Sequence, residues 1–131
     1  MYLRNSAGNL TELYDEYGHN WYKTKLQTNI TIDRGSQLAA LSRLDDGLLK
    51  IQVLASKSDG GVKMAFLNGT LWNELDSVNG MESVLPLSPI AATQAGYVYT
   101  LGEGHQVVEW VRNNSSPPTF LRLGTINTTN V

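Results

Sequence analysis

Few residues in this chain are of a type that could carry out a reaction. His19 and His105 are the only histidines, and no carboxylate cluster stands beside either to complete a metal-ligand set. Cysteine is absent, which excludes disulfides, thiol catalysis and thiolate zinc sites. Gly102-Glu103-Gly104 begins like a dinucleotide-binding turn, but the third glycine is missing and no helical pattern follows. Neither Gly-x-Ser-x-Gly nor His-Glu-x-x-His occurs. Glu12 and Glu109 would serve glycoside cleavage only by facing one cleft, which requires the first and last parts of the chain to be neighbours across a closed ring. The inventory points away from an enzyme, and no cofactor or metal is expected.

The charge pattern excludes further classes. Across 131 residues the net charge is −2, and the Lys and Arg residues form no run, so attraction to nucleic acid or to an anionic membrane is not expected. No apolar stretch reaches the roughly 18 residues of a membrane-spanning helix. Met1-Tyr2-Leu3-Arg4-Asn5 does not start a secretory signal, so the chain reads as a mature domain or as part of a longer protein. Asn-x-Ser/Thr triplets begin at Asn9, Asn29, Asn68, Asn113, Asn114 and Asn127. In a secretory eukaryotic context these are glycan acceptors on surface loops, and an extracellular location follows; otherwise they are the turn residues of a β protein.

The elements that must carry any site are strands. Leu48–Leu54 alternates or runs apolar over strand length, and similar segments recur throughout. Asp46-Gly47 and Asn68-Gly69 are hairpin signals, because both central residues of the favoured two-residue turn need positive φ. The one helical candidate, Leu38–Leu44, is short. Internal repetition organises the strands. Trp21, Trp72 and Phe120, each opening a strand, are 51 and 48 residues apart, and Leu38-Ala39-Ala40 recurs 52 residues later as Ile90-Ala91-Ala92. A period near fifty belongs to propeller-type repeats.

The unit comprises four strands: Ser36–Ser42, Leu48–Ser56, Val62–Leu67 and Leu71–Leu75, then again Ser88–Gln94, Gly96–Leu101, Gln106–Arg112 and Thr119–Leu123. Ala39-Ala40 and Ala91-Ala92 supply the small side chains that crowding near a propeller axis requires. The chain starts at the second strand of the unit, with Tyr2–Arg4, Leu10–Tyr14 and Trp21–Lys25. The tail from Thr125 to Val131 has the composition of the strand missing from that first unit. The expected fold is all-β and β-propeller-like. It has about three four-stranded antiparallel blades, approximately 1–35, 36–87 and 88–131, in a single domain. Three blades do not close a ring, so either two copies pair into six or the ring continues outside this chain.

The order Leu38-Ala39-Ala40-Leu41-Ser42, Ile51-Gln52-Val53-Leu54, Val62-Lys63-Met64, Thr70-Leu71-Trp72 resembles the repeat of fungal fucose-specific lectins and their small bacterial relatives. The resemblance implies a sugar held between neighbouring blades. An Arg on the second strand and a Glu on the third, about a dozen residues on, grip its hydroxyls, and aromatic rings cover its apolar face. Carried over, the pairs are Gln52 with Met64 and Tyr97 with Glu109, while Glu12 matches the acid of the first unit, whose Arg would precede Met1. No unit keeps both Arg and Glu, and Met64 is no hydrogen-bond acceptor for a hydroxyl. The sugar-binding candidates are therefore Glu12, Trp21, Gln52, Trp72, Tyr97 and Glu109, with packing as the alternative role for the aromatic rings. The partner implied is a glycan, fucosylated in the first instance, bound non-catalytically with weakened or altered specificity. The alternative is a structural or protein-interaction propeller whose sugar sites are vestigial.

Overall fold

The computed structural model describes residues 1–15, 18, 21–24 and 29–127, and of Lys23 and Thr24 the backbone only. The strands are β1 (Tyr2–Arg4), β2 (Leu10–Asp15), β3 (Trp21–Thr24), β4 (Leu38–Asp45), β5 (Leu48–Ser56), β6 (Val62–Asn68), β7 (Leu71–Leu75), β8 (Ile90–Ala92), β9 (Tyr97–Leu101), β10 (Val107–Asn113) and β11 (Thr119–Ile126). They form three antiparallel sheets in the orders β1-β2-β3, β4-β5-β6-β7 and β8-β9-β10-β11. The one helical piece among the described residues is a 3-10 turn at Glu103–His105, and no helix is long and apolar enough to cross a membrane.

Leu38–Leu44, the helical candidate, is strand β4. The neighbouring Leu48–Ser56 offers it a complete ladder, from Leu38 opposite Ala55 to Asp45 opposite Leu48, which a short helix could not match. Asp46 and Gly47 both take positive φ (48° and 76°), so the β4–β5 hairpin closes as its dipeptide predicts. The β6–β7 hairpin lies one residue later than expected. Asn68 remains in β6, and Gly69, with φ 71°, opens the two-residue turn. β8 is shorter than Ser88–Gln94, because Ser88 turns inward and its hydroxyl accepts the Leu101 N–H.

Each sheet meets the next face to face. Alternation sends Val53, Ala55 and Ala65 to one side of the second sheet, where they pack with Leu10 of the first sheet and with Ile30 and Ile32 of the β3–β4 connection. It sends Leu54, Val62 and Met64 to the other side, against Val98, Val108, Trp110 and Phe120 of the third sheet. Val78, Met81 and Val84 of the β7–β8 connection complete this second core. Trp110 is fully buried and its indole N–H donates to Thr100 Oγ1 at 2.8 Å, so the largest core side chain carries no unpaired donor.

β1 lies against β4, and β4 against β8, so the inner edges of the three sheets converge. Ala39 is buried there, whereas Ala40 and Ala91 are exposed, contrary to the expectation of a wholly buried inner strand. For Ala40 the reason is the three-stranded first sheet: among the described residues no innermost strand covers the side of β4 that Ala40 faces.

Candidate functional site

Two clefts lie between the sheets, and cross-strand register decides what stands in each. In the first sheet Tyr2 lies opposite Glu12, and its hydroxyl donates to Glu12 Oε1 at 2.7 Å. Burial and the adjacent Glu12 carboxylate push the Tyr2 hydroxyl pKa up, so it stays a donor at any ordinary pH. The same Tyr2 ring meets Trp72 of β7 edge-on, with centroids 6.2 Å apart. Tyr2, Glu12 and Trp72 thus stand together in the cleft between the first and second sheets. A neighbouring cavity of about 370 Å³ is lined by Met1, Tyr2, Leu38, Ala40, Ile51 and Val53 among others. It lies alongside the inner edge of β1, where the other two sheets carry their innermost strands.

Trp21 and Glu12 do not meet. Trp21 lies opposite Asp15, and Glu12 opposite Thr24, so the two side chains leave the first sheet on opposite faces. Trp21 is 61% exposed, on the face turned away from the second sheet. The ring that accompanies Glu12 is Trp72, contributed by the adjoining sheet.

The repeat places matching residues in the second cleft. Leu54 lies opposite Met64 there, in the positions of Tyr2 and Glu12, and Phe120 takes the position of Trp72. All three are buried core residues, so this part of the cleft is closed by packing. Gln52 lies opposite Phe66, diagonal to Met64 on the same face, and is 6% exposed with its Oε1 buried and without a donor.

On the third sheet the tyrosine–acid pair returns. Tyr99 lies opposite Glu109 and donates to its Oε1 at 2.9 Å, which pushes the Tyr99 hydroxyl pKa up. Tyr97 lies diagonal to Glu109 on that face and opposite Val111. This face points away from the second sheet and no described element covers it. The Tyr–Glu pairs escape a reading based on a twelve-residue spacing, because partners across these hairpins are ten residues apart.

Arg4 and Arg112 make no ion pair among the described residues; Arg4 Nε donates to Ile32 O at 2.7 Å. His105 is exposed on the 3-10 turn, and His19 lies outside the described residues, as does the tail beyond Asn127. No group of three or more metal-ligating side chains occurs among the described residues.

No protein-family model matches the sequence, and no curated protein matches it. Solved structures do. An Aleuria aurantia lectin mutant in complex with Fucalpha1-6GlcNAc matches at a TM-score of 0.74 and 19% identity, over 99% of this chain and 42% of that one. The same lectin with alpha-methyl-L-fucoside matches at 0.74 and 19%, over 99% and 41%. A fucose lectin from Kordia zhangzhouensis in complex with methyl-fucoside matches at 0.68 and 19%, over 96% and 90%. This chain therefore spans less than half the length of the Aleuria lectin and nearly all of the Kordia lectin chain. At such identity the likeness is one of fold: the three sheets are arranged as propeller blades.

Proposed function

We propose that this protein is a non-catalytic carbohydrate-binding propeller module, and that its sugar site is the cleft between the first two blades. The observation that carries the reading is the convergence of Tyr2, Glu12 and Trp72 beside a cavity. Glu12 offers carboxylate oxygens as acceptors for sugar hydroxyls, its orientation held by the Tyr2 hydroxyl. Trp72 offers a half-buried ring for sugar C–H groups. Because the structural neighbours were solved with fucosides, L-fucose is the first sugar to try. The Arg positions of the family are Gln52 and Tyr97 here, which argues for weakened or altered specificity. Titration of fucosylated and other glycans, followed by Trp fluorescence and backed by a glycan array, tests this. A saturable change supports the module, and silence at millimolar concentration for every glycan refutes it.

A second reading has its own support. The apolar Leu54–Met64–Phe120 closure and the uncovered outer faces suit a propeller kept for assembly or protein interaction. Both readings place 1–35, 36–87 and 88–131 as three repeats of one domain. In both, the outer faces are closed by a second copy, or by further blades of a longer chain. The Asn-x-Ser/Thr triplets and the lectin-like fold favour an extracellular setting for either.

A further inference from the structure

The rim of the second cleft carries an uncompensated positive charge. Arg43, Lys50, Gln52, Phe66, Arg112 and Asn114 are among the residues lining a cavity of about 80 Å³ between the second and third sheets. Asp45 is the carboxylate among these cations, and a single oxygen, Oδ2, serves both Arg43 Nη2 at 3.0 Å and Lys50 Nζ at 2.8 Å. Arg43 Nη1 donates to Asn114 Oδ1 at 2.8 Å, but Arg43 Nε and Arg112 Nε are both buried without an acceptor. Three cations thus face one carboxylate. Burial and the charge of Arg43 push the Arg112 pKa down, as expected of a guanidinium lacking an anionic partner. A buried donor without an acceptor is costly, and two of them belong to side chains that line one cavity, where an anionic group from outside would add the missing negative charge.

Two further groups narrow the ligand. Gln52 Oε1, buried in the same cleft, lacks a donor, and a bare oxyanion would be repelled by it; a hydroxyl would satisfy it. Phe66 adds a half-buried ring suited to the C–H face of a sugar.

We propose that this second cleft binds an anionic sugar, with a carboxylate or sulfate against Arg112 and Arg43 and a ring hydroxyl donating to Gln52. The inference rests on the carbohydrate-binding reading but concerns a different cleft with opposite electrostatics, since the first presents Glu12.

The test is an NMR titration of the wild-type protein, following the Arg43 and Arg112 Nε–H, the Gln52 side-chain amide and the Trp72 indole. The probes are D-glucuronate, glucose 6-sulfate, glucose and sodium sulfate. One or both anionic sugars should shift the arginine and Gln52 signals together, about tenfold more tightly than glucose, and weaken as salt rises. Glucuronate acting alone identifies a uronate site, and glucose 6-sulfate acting alone a sulfated-sugar site. R112Q, checked for folding by its melting curve, should lose the response while keeping any Trp72 response to fucose. The wild-type titration carries the test if that variant does not fold. Glucose matching the anionic sugars, sodium sulfate matching them without moving Gln52, or silence from all four probes overturns the proposal. A Trp72 response to fucose with a silent second cleft overturns this inference alone. Arginine and Gln52 shifts with Trp72 silent to every neutral glycan overturn the first-cleft site alone.

Discussion

At the scale of single residues, Glu12 and Trp72 matter through the company they keep. The Tyr2 hydroxyl fixes the carboxylate, and the Tyr2 ring braces the indole. Glu12→Gln removes the charge from an acceptor of similar shape, and affinity for the bound sugar should fall about tenfold or more by calorimetry. Trp72→Ala should weaken binding comparably. Trp21→Phe should leave affinity in this cleft unchanged, because Trp21 lies on the opposite face of its sheet. If Trp21→Phe and Glu12→Gln weaken binding equally, the site has been assigned to the wrong face.

At the scale of elements, the connections lock the sheets together. Asp33, in the β3–β4 connection, accepts from the Ser58 N–H and Ser58 hydroxyl at 2.7 Å each and from Lys63 Nζ at 3.1 Å. Those Ser58 bonds, with a smaller contribution from Lys63, lower its pKa to about 2. A carboxyl whose folded pKa is depressed stabilises the fold above its ordinary value and loses that contribution as pH falls through the folded value. Part of the stability should therefore disappear between about pH 4 and pH 2, and Asp33→Asn should flatten that part of the acid limb in urea titrations. The variant should also lose roughly 1–3 kcal/mol at neutral pH, since Lys63 is 7% exposed and keeps Thr31 O as its remaining hydrogen-bond partner. An unchanged acid limb would show that Asp33 is not the group involved.

The β7–β8 connection is as tightly fitted. Gly80 has φ 92°, and a methyl group there would stand 2.2 Å from Phe120 O. Gly80→Ala should lower stability by about 3 kcal/mol or more, measured by chemical denaturation. A loss under 1 kcal/mol would mean the connection can shift away from β11.

The strands were legible in the sequence because period-two alternation and turn residues report them directly: Leu48–Ser56 has the same limits in the sequence reading and in the structure. Register was less legible. Which residue faces Glu12 depends on how the intervening turn closes, so Tyr2 could not be recognised as its partner. Nor did the pattern show that Trp72, from the adjoining sheet, is the ring beside it. Ile30, Ile32, Val78, Met81 and Val84 lie in connections without periodicity, and their burial emerges only when two sheets close over them.

At the scale of the whole molecule, the outer surfaces carry exposed apolar side chains. Tyr97, Leu121 and Leu123 on the third sheet and Trp21 on the first are exposed on faces that a further blade would cover. Closure by a second copy predicts a solution mass of twice the 14.4 kDa chain in light scattering. Leu121→Lys with Leu123→Lys should shift it towards the monomer. A wild-type monomer, stable and soluble at high concentration, would contradict self-closure.

The most direct measurement of the central claim uses the three indole N–H signals of Trp21, Trp72 and Trp110 during titration with L-fucose and a panel of neutral glycans. The account predicts that one of these sugars shifts the Trp72 signal saturably in the wild-type protein and fails to do so in Glu12→Gln, while buried Trp110 stays still. A Trp72 signal that no glycan moves, or that moves equally with and without the Glu12 carboxylate, would contradict it.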